Sequence, residues 1–230
     1  MRDNTVCSFC QELANEEYNN FFELYLKDKF NKADLQSRII GETKYFAVLP
    51  MVGPLVPGYL LVLPKRHVES ISMLTEHELE ELYIVKNEIQ CIFVKYFGES
   101  IVYEHGALTS TLRGGCCSDH AHLHIVAIDV DVSDTLRKNF EVRYLSDLRH
   151  ISEQLEQHSP YLYYEDKKGQ CLIMNVGIVE SQYIRKLLAS QIGDVEHVFW
   201  NNNIEYDWMI NIVKLLKPEF EGRRGNGLWL

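Results

Sequence analysis

The chain lacks any run of about 20 apolar residues, so we expect no transmembrane helix and no membrane partner. Its N-terminus, Met1-Arg2-Asp3-Asn4, lacks the apolar core of a signal peptide, which favours a cytoplasmic location. Positive charge is scarce, because 23 Lys and Arg stand against 33 Asp and Glu, a net charge of −10. Proteins that coat DNA or RNA depend on clustered Lys and Arg, so we expect no nucleic-acid polymer as a partner. The negative net charge is still compatible with a small anionic ligand, since a local pocket can be positive inside an acidic protein.

Internal repeats, low-complexity tracts and an obvious linker are also missing, and the 230 residues are 46% hydrophobic, enough for a full core. Thr75-Glu76-His77-Glu78 has the form of a capping box and predicts a long helix that runs to about Phe97 and ends at Gly98. Other patterns predict helices at 10–27, 146–156, 181–192 and 206–216, the last ended by Pro218. Apolar runs predict strands at 37–40, 44–49, 59–63, 101–104, 120–128, 161–164 and 170–176, with a turn at 41–43.

The most informative segment is the alternating run His120-Ala121-His122-Leu123-His124. Successive side chains on a strand point to opposite faces, so three imidazoles would line one face and the apolar residues would line the buried face. A single histidine is usually a satisfied core or surface residue. Three at period two bring titratable groups close together, which a purely structural role does not explain.

Two chemistries fit this run of histidines. The His-x-His spacing lets two rings on one strand face reach a single metal ion. Alternatively, one imidazole attacks phosphorus while its other nitrogen donates to a backbone carbonyl or a neighbouring ring. The preceding loop favours phosphate, because Arg113-Gly114-Gly115 can offer backbone N–H groups and one guanidinium.

The spacing Cys7-x-x-Cys10 near the N-terminus suggests metal or redox chemistry rather than a structural disulfide. In a cytoplasmic protein the six cysteines are expected to be reduced. A redox Cys-x-x-Cys would lie in a βαβ pattern, which the surrounding sequence lacks. Two unrelated thiols are the remaining alternative to a metal site.

Together these motifs resemble the histidine triad (HIT) superfamily. Its signature is His-φ-His-φ-His-φ-φ with φ apolar, and residues 120–126 match it completely. Residues 57–67 resemble the family's Gly-His-x-Leu-Val-Ile-Pro-Lys-x-His element, and residues 45–50 resemble the strand before it. Residues 102–106 resemble an element that precedes the triad in bacterial HIT-like proteins. The resemblance covers residues 5–130.

This resemblance implies an α+β fold, in which residues 1–130 form a HIT-like catalytic domain with an antiparallel sheet and flanking helices. We expect residues 131–230 to form an α/β C-terminal extension packed on that domain. Members of the superfamily hydrolyse or transfer nucleotides at the α-phosphate, which implies a nucleotide or nucleotide conjugate as substrate. Members often form homodimers, so a homodimer is a further expectation.

The resemblance also implies roles for individual residues. The middle histidine of the triad becomes transiently nucleotidylated, so His122 is the expected nucleophile, and His124 helps to hold its ring and the phosphate. Many members carry an Asn near the end of the preceding strand, where this chain has Glu104 or His105. The loop before the triad is expected to bind phosphate through Arg113, Gly114, Gly115 and Ser118.

The Cys7-x-x-Cys10 pair resembles the zinc-binding branch of the superfamily, which includes the uridylyltransferases of galactose metabolism. In that branch the other ligands are the histidine after the Pro-Lys strand and the first triad histidine, here His67 and His120. Two thiolates and two imidazoles make a closed tetrahedral site, which is the arrangement of a structural zinc. His67 and His120 would then be occupied and unable to act as acid or base.

Residues 181–186 resemble, more weakly, a segment that follows the triad domain in some bacterial HIT-like proteins. Gln182 and Arg185 are three residues apart and would share a helix face, from which they could bind phosphate or sugar of the substrate. A solvated helix face is the alternative.

Three functions are therefore hypotheses. The first is a nucleotide phosphohydrolase or nucleotidyltransferase that works through a nucleotidyl-His122 intermediate, with loop amides stabilising the charge on phosphorus. The second is a nucleotide-binding module without turnover, which would bind ligand and form no covalent intermediate. The third is a metal-dependent enzyme that uses the triad as ligands around an open coordination site, and chelator would abolish its activity.

Overall fold

The computed structural model describes residues 7–14, 37–107, 120–194, 196–200 and 204–230. In these ranges the strands are β1 (Gly41–Glu42), β2 (Phe46–Pro50), β3 (Tyr59–Pro64), β4 (Ile101–Gly106), β5 (Leu123–Val126), β6 (Arg143–Leu145), β7 (Tyr161–Glu165) and β8 (Cys171–Asn175). They form one sheet in the order β1-β2-β3-β5-β4-β7-β8-β6, and every neighbouring pair is antiparallel.

Five α-helices flank this sheet within the described residues: α1 (Ser8–Leu13), α2 (Glu76–Tyr96), α3 (Ser133–Asn139), α4 (Tyr183–Ile192) and α5 (Tyr206–Glu221). Two 3-10 segments, Ile71–Met73 and Leu148–Gln157, complete the regular structure of the described residues. The predicted α+β fold with an antiparallel sheet and flanking helices is confirmed. Among the described helices, none is both long enough and apolar enough to span a bilayer.

The two faces of the sheet carry different helices because side chains alternate along each strand. Leu123 and Ile125 of β5 belong to the apolar cluster that also contains buried residues of α2 and α5. On the opposite face, Leu61 and Tyr103 lie directly beside His124 in the sheet register. Their cluster contains buried residues of α1, α3 and α4. The histidine face is therefore the one that the C-terminal helices α3 and α4 cover.

The predicted capping box at the start of α2 is confirmed. Thr75 Oγ1 accepts from the Glu78 N–H at 3.4 Å, and Glu78 Oε2 accepts from the Thr75 N–H at 2.8 Å. The helix ends at Tyr96, and Gly98 follows with a φ of 97°, a backbone conformation that favours glycine.

Thr75→Ala should lower the free energy of unfolding by about 1 kcal/mol, because it removes the side-chain acceptor for the first turn of α2. Urea unfolding followed by circular dichroism measures the change. Thr75→Ser keeps the hydroxyl and should retain most of the stability. Equal losses in both variants would contradict a capping role.

Five local predictions need correction. Residues 37–40 are not a strand, since β1 is Gly41–Glu42, and the helix predicted at 146–156 is the 3-10 segment Leu148–Gln157. The hairpin turn lies at 43–45, not 41–43, because the Tyr45 N–H donates to Glu81 Oε1 at 2.9 Å and fixes the chain reversal there. Helix α5 continues through Pro218 to Glu221, because the buried Phe220 ring packs on Trp229 with centroids 4.7 Å apart. The helix predicted at 10–27 is replaced, where the structure describes it, by α1, which ends at Leu13. Residues 15–27 lie outside the described residues.

The sheet includes strands from both sides of residue 130, joined by backbone hydrogen bonds. Strand β7 pairs with β4 from Val102↔Glu165 to Gly106↔Tyr161, and β8 and β6 extend the sheet beyond it. The division of the chain into domains at 1–130 and 131–230 stays a prediction. Residues 1–130 and 131–230 nevertheless share one sheet, so the second part of the chain is positioned to contribute to the histidine face.

Candidate functional site

Four side chains predicted as metal ligands lie together at one end of the histidine face. The ligand atoms of Cys7, Cys10, His67 and His120 all lie within 4.8 Å of one another. The separations include 3.3 Å from Cys10 Sγ to His67 Nδ1 and 3.4 Å from Cys10 Sγ to His120 Nδ1. Tetrahedral coordination with metal–sulfur bonds of about 2.3 Å and metal–nitrogen bonds of about 2.0 Å requires edges of roughly 3.5 Å. The cluster therefore has the dimensions of a closed metal site.

Local structure brings these ligands together from distant parts of the chain. Cys7 caps α1 and Cys10 lies in its first turn, so their side chains point the same way. Helix α1 is anchored by Glu12, whose carboxylate receives two hydrogen bonds from the buried Arg38 guanidinium, at 2.6 and 2.7 Å. The Ala121 N–H donates to Val68 O at 2.7 Å and joins the loop after β3 to the triad segment.

The orientation of the His120 ring suits a metal ligand. Its Nε2 lies 2.8 Å from Pro64 O, which can only accept, so Nε2 carries the proton and Nδ1 faces the two sulfurs with its lone pair. Burial lowers the pKa of His120 to about 4, which keeps the ring neutral. Burial and the adjacent Cys7 raise the pKa of the Cys10 thiol to about 12 in the protein alone. A bound divalent cation would reverse that shift, because it stabilises the thiolate.

The second and third histidines of the triad lie next to this cluster, with ring centroids 4.7 Å apart. His122 Nδ1 is 2.8 Å from His120 O, so Nδ1 donates to this carbonyl and Nε2 carries the lone pair. No described residue forms a hydrogen bond with Nε2. Burial lowers the pKa of His122, and burial together with His122, His105 and Arg185 lowers that of His124 well below its usual value. Both rings are therefore neutral at neutral pH.

Regular strand structure in this segment is shorter than predicted, since β5 begins at Leu123 rather than His120. The predicted alternation nevertheless holds, because Ala121, Leu123 and Ile125 are buried together in the opposite cluster. The early part of the segment is held by the contacts of His120 and Ala121 rather than by sheet pairing.

Several residues around the triad were not predicted from the sequence. Tyr59 Oη lies 3.0 Å from His124 Nδ1 and 2.5 Å from Tyr103 Oη, and the Tyr103 ring stacks on His124 with centroids 4.3 Å apart. The Phe9 ring lies 5.5 Å from the His122 ring. These contacts depend on the register of β3, β4 and β5 and on the position of α1, which no local pattern specifies.

The structure resolves the alternative between Glu104 and His105. His105 is on the triad face. Burial and the nearby His122 lower the pKa of His105 to about 3, and His105 Nε2 accepts from the Ile184 N–H at 3.3 Å. Glu104 is on the other face, where it accepts from the Ile71 N–H at 2.8 Å and from Tyr161 Oη at 2.6 Å. Of the two, His105 alone has access to the triad.

Glu104 should make stability depend on pH. Burial raises its pKa to about 7, above the roughly 4.3 of an unfolded glutamate, so the native state keeps a proton that the unfolded chain has lost. The resulting stability is fully present below about pH 4.3 and is lost as the pH rises through about 7. Relative to Glu104→Gln, the wild-type free energy of unfolding should fall by about 2 kcal/mol between pH 5 and pH 8. Urea unfolding of both proteins measures this difference, and a difference that does not change with pH would contradict the assignment.

The predicted substrate residues of the extension lie at the start of α4. Gln182 precedes the helix with a φ of 61°, and its Oε1 accepts from the Trp200 N–H at 3.3 Å. Arg185 is in the first turn and is buried, with its guanidinium carbon 5.9 Å from the centre of the Tyr59 ring. The other predicted phosphate-binding residues lie outside the described residues: Arg113, Gly114, Gly115 and Ser118.

The match to a known family agrees with this geometry. The model of the HIT domain family matches residues 32–187, which is more than half of the chain. The chain therefore belongs to the HIT domain family. The match extends past residue 130 to α4, so it includes strands β6, β7 and β8 as well as the triad.

Similar proteins include two named as phosphatases of dinucleoside polyphosphates. The bis(5'-nucleosyl)-tetraphosphatase [asymmetrical] of Schizosaccharomyces pombe is 29% identical over 97 residues, which are 42% of this chain and 52% of that protein. The bis(5'-adenosyl)-triphosphatase of Dictyostelium discoideum is 30% identical over 92 residues, 40% of this chain and 60% of that protein. The chain thus matches little more than half the length of these relatives.

One solved structure with a similar fold is a Zn-bound histidine triad family protein from Mycobacterium smegmatis. It is 16% identical, with a TM-score of 0.39, and the alignment covers 68% of this chain and all of that chain.

Proposed function

We propose that the protein is a nucleotide hydrolase that acts at the α-phosphate of a nucleotide conjugate through a nucleotidyl intermediate on His122. The observation that carries this proposal is the hydrogen bond from His122 Nδ1 to His120 O, which leaves the lone pair on Nε2 of a neutral imidazole. A ring held in this tautomer and orientation is an activated nucleophile.

The reaction has two displacement steps. In the first, the lone pair of His122 Nε2 forms a bond to the α-phosphorus, and the bond from phosphorus to the leaving-group oxygen breaks with its electron pair. In the second, water attacks the same phosphorus, the P–N bond returns its electrons to Nε2, and the water proton leaves with solvent. The neutral ring becomes cationic only while it is nucleotidylated, and the His120 carbonyl that accepts from Nδ1 stabilises that charge.

His124 supports this chemistry from the next position on the face. Tyr59 and the stacked Tyr103 ring fix the orientation of the His124 ring. Its other nitrogen then points away from Tyr59, where it can contact a non-bridging phosphate oxygen. The loop residues predicted to bind phosphate, Arg113, Gly114, Gly115 and Ser118, remain part of the proposal.

The four-residue metal cluster is proposed to hold zinc in a structural role. Two thiolates and two imidazoles fill a tetrahedral site completely, and neutral His with deprotonated Cys is the donor set that zinc prefers. The ion would hold α1 and the loop after β3 against the triad segment. His120 is the one triad residue in the cluster among the described residues, and because His122 and His124 lie outside it, this geometry disfavours a catalytic metal ligated by the whole triad.

Hydrolysis is favoured over transfer by the names of the two relatives, both phosphatases of dinucleoside polyphosphates. A transferase would need a second acceptor site for the nucleotidyl group. The acceptor is therefore proposed to be water.

Intact-protein mass spectrometry after rapid mixing tests the proposal. The protein is mixed with a dinucleoside tetraphosphate or a nucleotide sugar and quenched in alkali, which preserves P–N bonds. We expect a transient mass increase of one nucleotidyl group, located on the peptide that contains His122. Products without an adduct in a single turnover would indicate direct attack by water. Binding with neither adduct nor product would indicate a binding module.

A further inference from the structure

The side chain of Arg185 lies beside the triad although it comes from the C-terminal part of the chain. The residue is 3% exposed, and its guanidinium carbon is 5.9 Å from the centre of the Tyr59 ring, whose hydroxyl is 3.0 Å from His124 Nδ1. One residue earlier, the Ile184 N–H donates to His105 and fixes the start of α4 against β4. Arg185 therefore lies on the His124 side of the nucleophile.

Two of the three guanidinium nitrogens of Arg185 have backbone partners. Nη2 donates to Gly53 O at 2.7 Å and to His197 O at 2.5 Å, and Nε donates to Val198 O at 3.1 Å. In the part of the chain that the structure describes, Nη1 is buried without a hydrogen-bond partner, and no carboxylate pairs with Arg185. Three carbonyls hold this group in place, and among the described residues no anion offsets its charge, which is costly for a buried cation.

The two directions along the histidine face from His122 differ in chemistry. Toward His120, the Phe9 ring lies 5.5 Å from the His122 ring and is followed by the Cys and His cluster, which includes no Lys or Arg among its four residues. Toward His124, the face leads to Tyr59 and the Arg185 guanidinium. Phosphate groups beyond the attacked one are best accommodated in this second direction, because it ends in a positive charge.

We propose that Arg185 binds a phosphate of the leaving group through Nη1, so that the preferred substrates are nucleotides with at least two phosphates in their conjugate chain. This inference rests on the proposed function, since it assumes that the α-phosphorus lies at His122. It makes the C-terminal part of the chain a determinant of specificity. Single-phosphate conjugates such as nucleoside phosphoramidates have no group that reaches Arg185.

Steady-state kinetics with two substrates test the inference. The first substrate is diadenosine tetraphosphate and the second is adenosine 5'-phosphoramidate, which shares the α-phosphate and lacks the others. Arg185→Gln should lower kcat/KM for the tetraphosphate by about 10- to 100-fold, the value of one charge-assisted contact, and change the phosphoramidate rate by less than about 3-fold. Arg185→Lys keeps the charge but not the planar fork of the guanidinium, so it should lower kcat/KM for the tetraphosphate by a smaller factor than Arg185→Gln.

Lys186→Gln is the matched control, because Lys186 is the next residue of α4 and pairs outward with Glu180 at 2.5 Å. It should leave both rates unchanged. Equal losses for both substrates in Arg185→Gln and Arg185→Lys, together with lower melting temperatures, would assign Arg185 a purely structural role and overturn the inference.

Calorimetric binding separates this inference from the proposed function. In the His122→Ala background, diadenosine tetraphosphate should bind about 10- to 100-fold more weakly when Arg185 is also replaced by Gln. If the wild-type protein shows neither turnover nor adduct but this loss of affinity remains, the proposed function fails and the phosphate site stands. If affinity does not depend on Arg185, the phosphate site fails whatever the rates are.

Discussion

Replacing His122 with alanine should lower the rate of nucleotide hydrolysis by at least about 10⁴-fold, the range seen when a covalent nucleophile is removed. The reason is that Nε2 of His122 is the proposed attacking atom, and its neighbours are engaged elsewhere. His124 Nδ1 lies 3.0 Å from the Tyr59 hydroxyl, and His120 Nδ1 faces two sulfurs. Hydrolysis of diadenosine tetraphosphate, followed by chromatography of the products, measures the change.

The control for this variant is His77→Ala, because His77 is exposed in the first turn of α2. It should leave the rate unchanged. His122→Ala should also keep its fold and its metal, since His122 is outside the four-residue cluster among the described residues. Retained activity in a folded, metal-loaded His122→Ala protein would exclude the nucleotidyl-histidine mechanism.

Replacing Cys10 with serine should abolish stoichiometric zinc binding and lower the free energy of unfolding by about 3–5 kcal/mol. This loss is only part of the roughly 10–16 kcal/mol with which a structural zinc binds, because the sheet and its two apolar clusters remain. Cys10 contacts both histidines of the cluster, at 3.3 and 3.4 Å, so its removal opens the site on two edges. Elemental analysis gives the metal content, and urea unfolding gives the stability.

Cys91→Ser is the matched control for the zinc prediction, because Cys91 is an exposed cysteine on α2. Its metal content and stability should equal those of the wild type. Chelator should lower the melting temperature of the wild type and of Cys91→Ser, and leave that of Cys10→Ser unchanged. Full zinc occupancy in Cys10→Ser would show that the metal lies elsewhere.

The elements that could be predicted from the sequence are those whose signals are local. The capping box at Thr75 and the glycine at position 98 correctly marked the two ends of α2, because both signals act within one turn of the helix. The alternation of the triad likewise identified the buried face, because period two alone assigns side chains to faces. The ligand set Cys7, Cys10, His67 and His120 followed from a resemblance between motifs, and these side chains do converge.

Elements that depend on distant partners were predicted less well. The turn at 43–45 is placed by Glu81 from α2, and helix α5 passes Pro218 because Phe220 packs on Trp229 near the end of the chain. Proline inside a helix removes one hydrogen bond and crowds the carbonyl four residues earlier, a cost of about 3 kcal/mol that the burial of an aromatic side chain can offset. Neither partner is visible in the local pattern.

The sequence by itself determined the family and the buried side of the triad, because these depend on residue type and on spacings within short motifs. It indicated the four residues that converge as a metal cluster only through the resemblance of those motifs to a known family, since the ligands are far apart in the chain. Only the tertiary structure decided that His122 Nδ1 meets a carbonyl, that His105 rather than Glu104 faces the triad, and that α4 brings Arg185 to His124. The contacts of His105 and Arg185 join segments whose relative position is set by strand register and helix packing, which no single segment encodes. The bond from His122 to the carbonyl of His120 is local, but it depends on the backbone conformation just before β5, which alternation alone does not specify.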